Sequence, residues 1–438
     1  MSIELITILL IAVFVSLLVV GLPLAWTMGA TACIFTLILF EPSVMFMSMT
    51  RVYHMMLNYT LVAVPLFVFM ACILEKAGVA EQLFKAVYVW SGPLRGGLAI
   101  GTIIACVIMA AMVGIVGAEI VTFGLIALPQ MLERGYSKSI ALGSITSGGG
   151  MATLIPPSVV FIVYAMTAGC PVGELFIAGI IPGLLLGALF IGYIVVVTWI
   201  DPSTAPIAPP EERDVPLKKK LSLLKGLIMP GILAATVLGT IYAGVATPTE
   251  AAGIGCFGAI LSAAVNRRLH WESMKQACYE TLKVSCMLTW LFFGAQTIIG
   301  VYTLAGGSDF VQNTITSLPL GRWGIIIVMQ LILIFLGMFL DWIGILLLTM
   351  PLFVPIVLEL EFSNIWFGVL FCMNMHVSYL SPPFGPSCFY MGSVAPDYIT
   401  MTDVYKANMP YLALTIVALA LTMAFPGLSL WLPSLMGN

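Results

Sequence analysis

The 438-residue chain is 61% hydrophobic and only 8% charged, with a formal net charge of −3. Soluble domains carry about 25% charged residues, so this composition excludes a soluble globular protein, and the mild acidity excludes a basic surface for nucleic acid. Nine Cys lie scattered in apolar runs without a CxxC pair, so neither a disulfide framework nor a zinc site is expected.

In chain order, apolar runs fall near 5–22, 24–40, 58–75, 139–168, 175–199, 227–246, 250–265, 278–305, 365–393 and 408–432. A bilayer core of ~30 Å needs about 20 apolar residues per helix. Backbone polar groups in lipid must pair internally, so an all-α polytopic membrane bundle is predicted. The alternating segments of about 10 residues that build a β-barrel are not seen. The first run lacks a basic leader and an A-x-A site, so it reads as a retained helix.

The longest polar stretch, 201–225, is Pro-rich and holds Lys218, Lys219, Lys220 and Lys225. Short basic loops stay in the cytoplasm, so this linker is placed inside. If two segments turn back without crossing, Arg213 and the other basic residues fall inside, and only Arg51 and Arg322 of the 17 fall outside. Both termini then face the periplasm.

Four landmarks recur across the linker in the same order. Pro23 pairs with Pro248, Gly114 with Gly337, Pro129 with Pro351, and Pro156-Pro157 with Pro382-Pro383, at offsets of 225, 223, 222 and 226. The chain therefore divides into a first inverted repeat over 1–200, the cytoplasmic linker over 201–225, and a second inverted repeat over 226–438. Each repeat is predicted to carry two spanning helices, an amphipathic arm, a helix, a re-entrant hairpin, a Pro-broken helix and a final helix.

The hairpins, about 96–133 and 322–359, break at Gly114–Glu119 and Gly337–Asp341. Limbs of about 17 residues make ~25 Å of helix, which can turn back inside the bilayer. Paired interrupted segments in corresponding positions of two halves point to a transporter's binding site. Each tip bears one carboxylate, Glu119 or Asp341. In a lipid-facing helix centre such a group costs ~2.5–3.5 kcal/mol on insertion scales. It is expected to cap a half-helix N-terminus, to contact a cation, or both. Ser147-Gly148-Gly149-Gly150 with Pro156-Pro157, and Ser381-Pro382-Pro383 with Gly385, unwind two helices and free carbonyls suited to a hard cation. Ser147, Gly149, Gly150, Asn374, His376 and Gly385 are the substrate-binding candidates, although His376 reads more readily as a neutral, satisfied histidine. Glu250 reads as a helix cap after Pro248, and His270 with Trp271 as an interfacial anchor. No HExxH and no nucleophile-base pairing indicates an enzyme.

Seven motifs then carry a family resemblance along essentially the whole chain: VPLFVFMACILEKAG at 64–78, PLRGGLAIGT at 93–102, LPQMLERGYSK at 128–138, SGGGMATLIPPS at 147–158, ATPTEAAGIG at 246–255, FLGMFLDWIGILLL at 335–348 and NMHVSYLSPPFGPSCF at 374–389. In order and spacing they resemble the large membrane subunit of TRAP (tripartite ATP-independent periplasmic) transporters. The resemblance implies an elevator-type secondary transporter of the ion-transporter superfamily fold in the bacterial inner membrane. It implies import of a small organic acid anion coupled to sodium, with no other cofactor or metal. The implied partners are a separate small four-helix membrane subunit and a periplasmic substrate-binding protein. A first sodium site is implied at Gly117, Ala118, Glu119, Ala152, Ile155 and Pro157, and a second at Gly337, Asp341, Ser381, Pro382 and Pro383. The family usually reads Gly-Ser-Ser where this chain has Gly117-Ala118-Glu119, and Thr where it has Ser381. A sodium- or proton-coupled carboxylate symporter of related fold that needs no binding protein is the alternative.

Overall fold

The computed structural model describes residues 1–114, 116–207 and 216–436. Ile115 in the first tip, and 208–215 of the linker with Arg213, lie outside the described residues. Among the described residues the chain is all helix. Six helices are long and apolar enough to cross a membrane alone, and several shorter apolar helices accompany them.

The first half runs α1 (Ile3–Val19), α2 (Leu24–Leu39), α3 (Met45–Met56), α4 (Ala63–Lys76), α5 (Val79–Ser91), α6 (Gly97–Val113), α7 (Ala118–Glu133), α8 (Lys138–Gly150), α9 (Val159–Ala168) and α10 (Val172–Ile200). After the short helix α11 (Leu217–Leu224), the second half runs α12 (Ile228–Tyr242), α13 (Pro248–Val265), α14 (Trp271–Leu304), α15 (Gly307–Thr316), α16 (Arg322–Gly337), α17 (Trp342–Glu359), α18 (Asn364–Leu380), α19 (Pro386–Gly392), α20 (Met401–Ala424) and α21 (Gly427–Ser434). Hairpins α6/α7 and α16/α17 and broken helices α8/α9 and α18/α19 stand in the same order in both halves. The four landmark pairs sit alike: Pro23 and Pro248 open helices, Gly114 and Gly337 close the first hairpin limbs, and Pro129 and Pro351 lie inside the second limbs. Both double-prolines hold a cis peptide bond.

Three features differ from expectation. The second arm and its following helix are one element, α14, whose 34 residues make ~51 Å. No Gly or Pro interrupts 271–293, so the charged first turns continue into the apolar span. In the first half, Asn58 accepts a hydrogen bond from the Thr60 N–H and starts a new turn, separating arm from helix. The amphipathic helices α5 and α15, each entered through a left-handed glycine, Gly78 or Gly306, were not expected between helix and hairpin. The last apolar run is split at Pro426 into α20 and α21.

The helices pack as two groups. Helices α2 and α4 lie against α14, and α4 and α12 lie against α13. The hairpins, the broken helices, α10 and α20 form the second group, with α8 against α6, α7 and α20, and α18 against α16, α20 and α10. Across the halves, the Tyr164 hydroxyl of α9 donates to the Asn364 carbonyl of α18 at 2.8 Å. Glu250 takes the predicted cap: its carboxylate accepts from the Thr247 N–H and hydroxyl at 2.8 Å, in a capping box. Trp271 is largely exposed at the start of α14.

Candidate functional site

The first hairpin turns where glycine is required. Gly114 closes α6 at φ +66°, and a Cβ there would lie 1.9 Å from the Pro157 carbonyl oxygen. The Val159 N–H donates back to the Gly114 carbonyl at 3.4 Å. Tip and broken helix therefore meet backbone to backbone. Pro156 and Pro157 bring no N–H to this turn, so the carbonyls of Ala152 and Thr153 lose their helical partners. The Ser158 hydroxyl takes over the Thr153 carbonyl at 2.8 Å. Ala152 and Ile155 are buried beside the seam.

Gly117 caps α7 at φ +112°, and Glu119 follows in its first turn. Glu119 is 1% exposed, and neither carboxylate oxygen has a hydrogen-bond partner. It does not cap its helix. It lies within electrostatic reach of Cys106 on α6, while its neighbour Ile120 fills the space that a side chain on Gly149 would need. An unpartnered buried carboxylate is costly unless a cation or a proton meets it.

The second tip differs. Asp341 holds the N-cap position of α17, beside the N–H groups of Trp342 and Ile343, and Tyr379 of α18 stands within its electrostatic reach. Gly337 presses on α18, where a Cβ would fall 1.8 Å from Ser378 Oγ. Pro382 and Pro383 offer no N–H to the Ser378 and Tyr379 carbonyls. Ser381 donates its hydroxyl to the Ser378 carbonyl at 3.3 Å, and the Pro383 carbonyl accepts from the Tyr405 hydroxyl at 2.7 Å. Gly385 opens α19 at φ +36°.

The two broken helices meet at Gly150. The fully buried His376 ring stands against it, with Ser387 on the same side and the Phe190 ring 6.0 Å away between centroids. The Ser147 hydroxyl donates to the Gly143 carbonyl of its own helix. Asn374 faces the second hairpin instead, and its amide donates to the carbonyl and the side-chain oxygen of Gln330 at 2.9 Å. Replacing Asn374 with Leu leaves the buried Gln330 side-chain oxygen without its donor, a loss of about 1–3 kcal/mol, and is expected to lower the thermal unfolding midpoint in detergent.

Sequence reasoning missed Tyr390, Ser378 and Ser387. The Tyr390 ring would lie 3.0 Å from a Cβ on Gly117, and Tyr390 also stands within electrostatic reach of Asp341, so it touches one tip and faces the other. Ser378 lies one helical turn before Ser381, a spacing that could have marked it. No spacing marks Tyr390, because its neighbours come from the two hairpins.

The family model described as "Tripartite ATP-independent periplasmic transporter, DctM component" matches residues 11–428. The chain belongs to this DctM family. The C4-dicarboxylate TRAP transporter large permease protein of Pseudomonas aeruginosa is 30% identical to it, over 92% of both chains. The ectoine/5-hydroxyectoine large permease of Ruegeria pomeroyi is 31% identical over 86% of both. Among solved structures, the YdaH transporter of Alcanivorax borkumensis superposes with a TM-score of 0.61 at 14% identity, covering 92% of this chain and 96% of that one. MtrF of Neisseria gonorrhoeae gives 0.61 at 11% identity, over 87% and 83%. These two likenesses show the fold alone. As a DctM-family chain this is a multi-span transporter permease of a tripartite system, not an enzyme.

Proposed function

We propose that the chain is the large permease of a sodium-coupled importer of a small organic acid in the bacterial inner membrane, with both termini in the periplasm. A periplasmic binding protein delivers the substrate, and a separate small membrane subunit accompanies the permease. The observation that carries the coupling is Glu119, a buried carboxylate without a hydrogen-bond partner in the first turn of α7, on the tip whose Gly114 meets the Pro157 carbonyl. A carboxylate, with the backbone carbonyls that the proline break frees, supplies the oxygen ligands that a hard cation takes. Among the described residues no group of three His, Cys, Asp or Glu offers a transition-metal site. Asp341, Ser381 and the second proline break make the corresponding position in the other half. Here the Pro383 carbonyl is already engaged by Tyr405, which leaves Asp341, Gly337, Ser381 and Pro382 for the ion. The substrate lies between the two breaks, close to Gly150, His376 and Gly385. The hairpin group moves as one body against α2, α4 and α12–α14, in elevator fashion, because tip and break are joined by backbone contacts and travel together.

Related large permeases are named for C4-dicarboxylates and for ectoine. The identity of the acid is set by the binding protein, so omitting that protein from proteoliposomes is expected to reduce uptake to the leak. Full uptake without it would replace this reading by a self-sufficient symporter.

A further inference from the structure

A crevice of about 310 Å³ separates α12 from the first hairpin group and borders the first break at Ile155 and Pro156. Its lining includes Ala111 of α6, Leu184 of α10, Leu227, Gly231 and Tyr242 along α12, and Pro156 of the first break. The lining is almost wholly apolar, and Leu184 is half exposed, so the crevice opens sideways where the bilayer lies. At its far end the Tyr242 hydroxyl has no hydrogen-bond partner. Its near end, Leu227, follows closely on α11, whose sequence LKKKLSLL places three lysines beside four leucines. Lys218 and Lys219 are exposed, and the α11 backbone is held against α5 by Trp90, whose indole N–H donates to the Lys220 carbonyl at 3.4 Å.

We propose that this crevice and α11 together bind one anionic glycerophospholipid, the headgroup at Lys218–Lys220 and one acyl chain in the crevice. A basic, leucine-bearing helix next to a spanning helix is the usual signature of anionic lipid recognition, and Trp90 of α5 beside it is an interfacial anchor. One acyl chain reaches half the hydrocarbon core, ~15 Å. Entering beside Leu227, it passes Gly231 and Ala234 at ~6 and ~10 Å along the helix, in a crevice whose lining includes Pro156. The volume is far too small for a helix of another polypeptide, ~10 Å across. The bound chain thus fills the seam between the break that holds the first site and the helix facing it.

The test is native mass spectrometry of the purified permease from nanodiscs that contain phosphatidylglycerol and phosphatidylcholine. Wild-type protein is expected to retain one phosphatidylglycerol in preference to phosphatidylcholine. A Cβ on Gly231 meets no atom within 4 Å and Gly231 lines the crevice, so Gly231→Leu takes up part of its volume. That variant, and the triple variant Lys218→Gln, Lys219→Gln, Lys220→Gln on the exposed helix, are each expected to lower retention by about tenfold. Equal retention of the two lipids by wild-type protein, or unchanged retention in both variants, would overturn the proposal. So would crosslinking of Gly231→Cys to another polypeptide in place of lipid.

Discussion

Replacing Glu119 by Gln is expected to weaken the sodium dependence of uptake by about ten- to a hundredfold, and at the same time to stabilise the sodium-free protein. Interactions with a charged group contribute about 1.5–3 kcal/mol, and each 1.4 kcal/mol is a factor of ten. Both Glu119 oxygens are buried without a partner. A carboxylate that awaits a cation strains the empty state, and the neutral amide relieves that strain while it removes the cation's attraction. A ligand that binds only the folded protein raises its stability with concentration. Thermal unfolding of wild-type protein is therefore expected to shift upward with sodium, and that of Glu119→Gln to begin higher and shift less. A variant as sodium-dependent as wild type would reduce Glu119 to a structural residue.

Gly114→Ala is expected to abolish transport without preventing membrane insertion. The new Cβ would sit 1.9 Å from the Pro157 carbonyl oxygen, at a residue whose φ is +66°. The left-handed conformation alone costs an L-residue about 1–2 kcal/mol. The clash is with backbone, which no rotamer change relieves, so the tip must leave the break. The hydrogen bond from the Val159 N–H to Gly114 goes with it. Gly192→Ala, in α10 where a Cβ meets nothing within 4 Å, is the control and keeps wild-type uptake. Monodisperse protein with uptake reduced more than about tenfold is the expected outcome for Gly114→Ala. Uptake equal to the control would show that the seam between tip and break is not where coupling occurs.

The sequence made the architecture legible because the strongest signals in a membrane chain are local. Apolar length marks spans, and Gly and Pro mark the places where a helix must stop. Gly114, Gly337 and both double-prolines therefore fell on the breaks seen in the structure. Expectation failed where a boundary depends on what is missing. Arm and helix fused in α14 because no Gly or Pro separates 271–293. Helices α5 and α15 leave little trace in the sequence because a short amphipathic segment gives a weak signal beside long apolar ones. Within the site, the carboxylates could be read from their rarity at bilayer depth and the Gly and Pro from where they interrupt apolar runs, but their partners could not. Tyr390 lies against Gly117 and faces Asp341, and Gln330 holds Asn374, because distant segments meet there. The sequence places Glu119 and Asp341 alike at two tips. Only the structure separates them, since Asp341 occupies a helix cap and Glu119 has no partner.

The most direct test of the account is uptake of the cognate acid into proteoliposomes that hold the permease and its small subunit, with the binding protein outside. An inward sodium gradient is expected to drive accumulation above equilibrium, and collapsing that gradient at constant pH should stop it. Accumulation that follows a proton gradient and ignores sodium would contradict sodium coupling at the two hairpin tips.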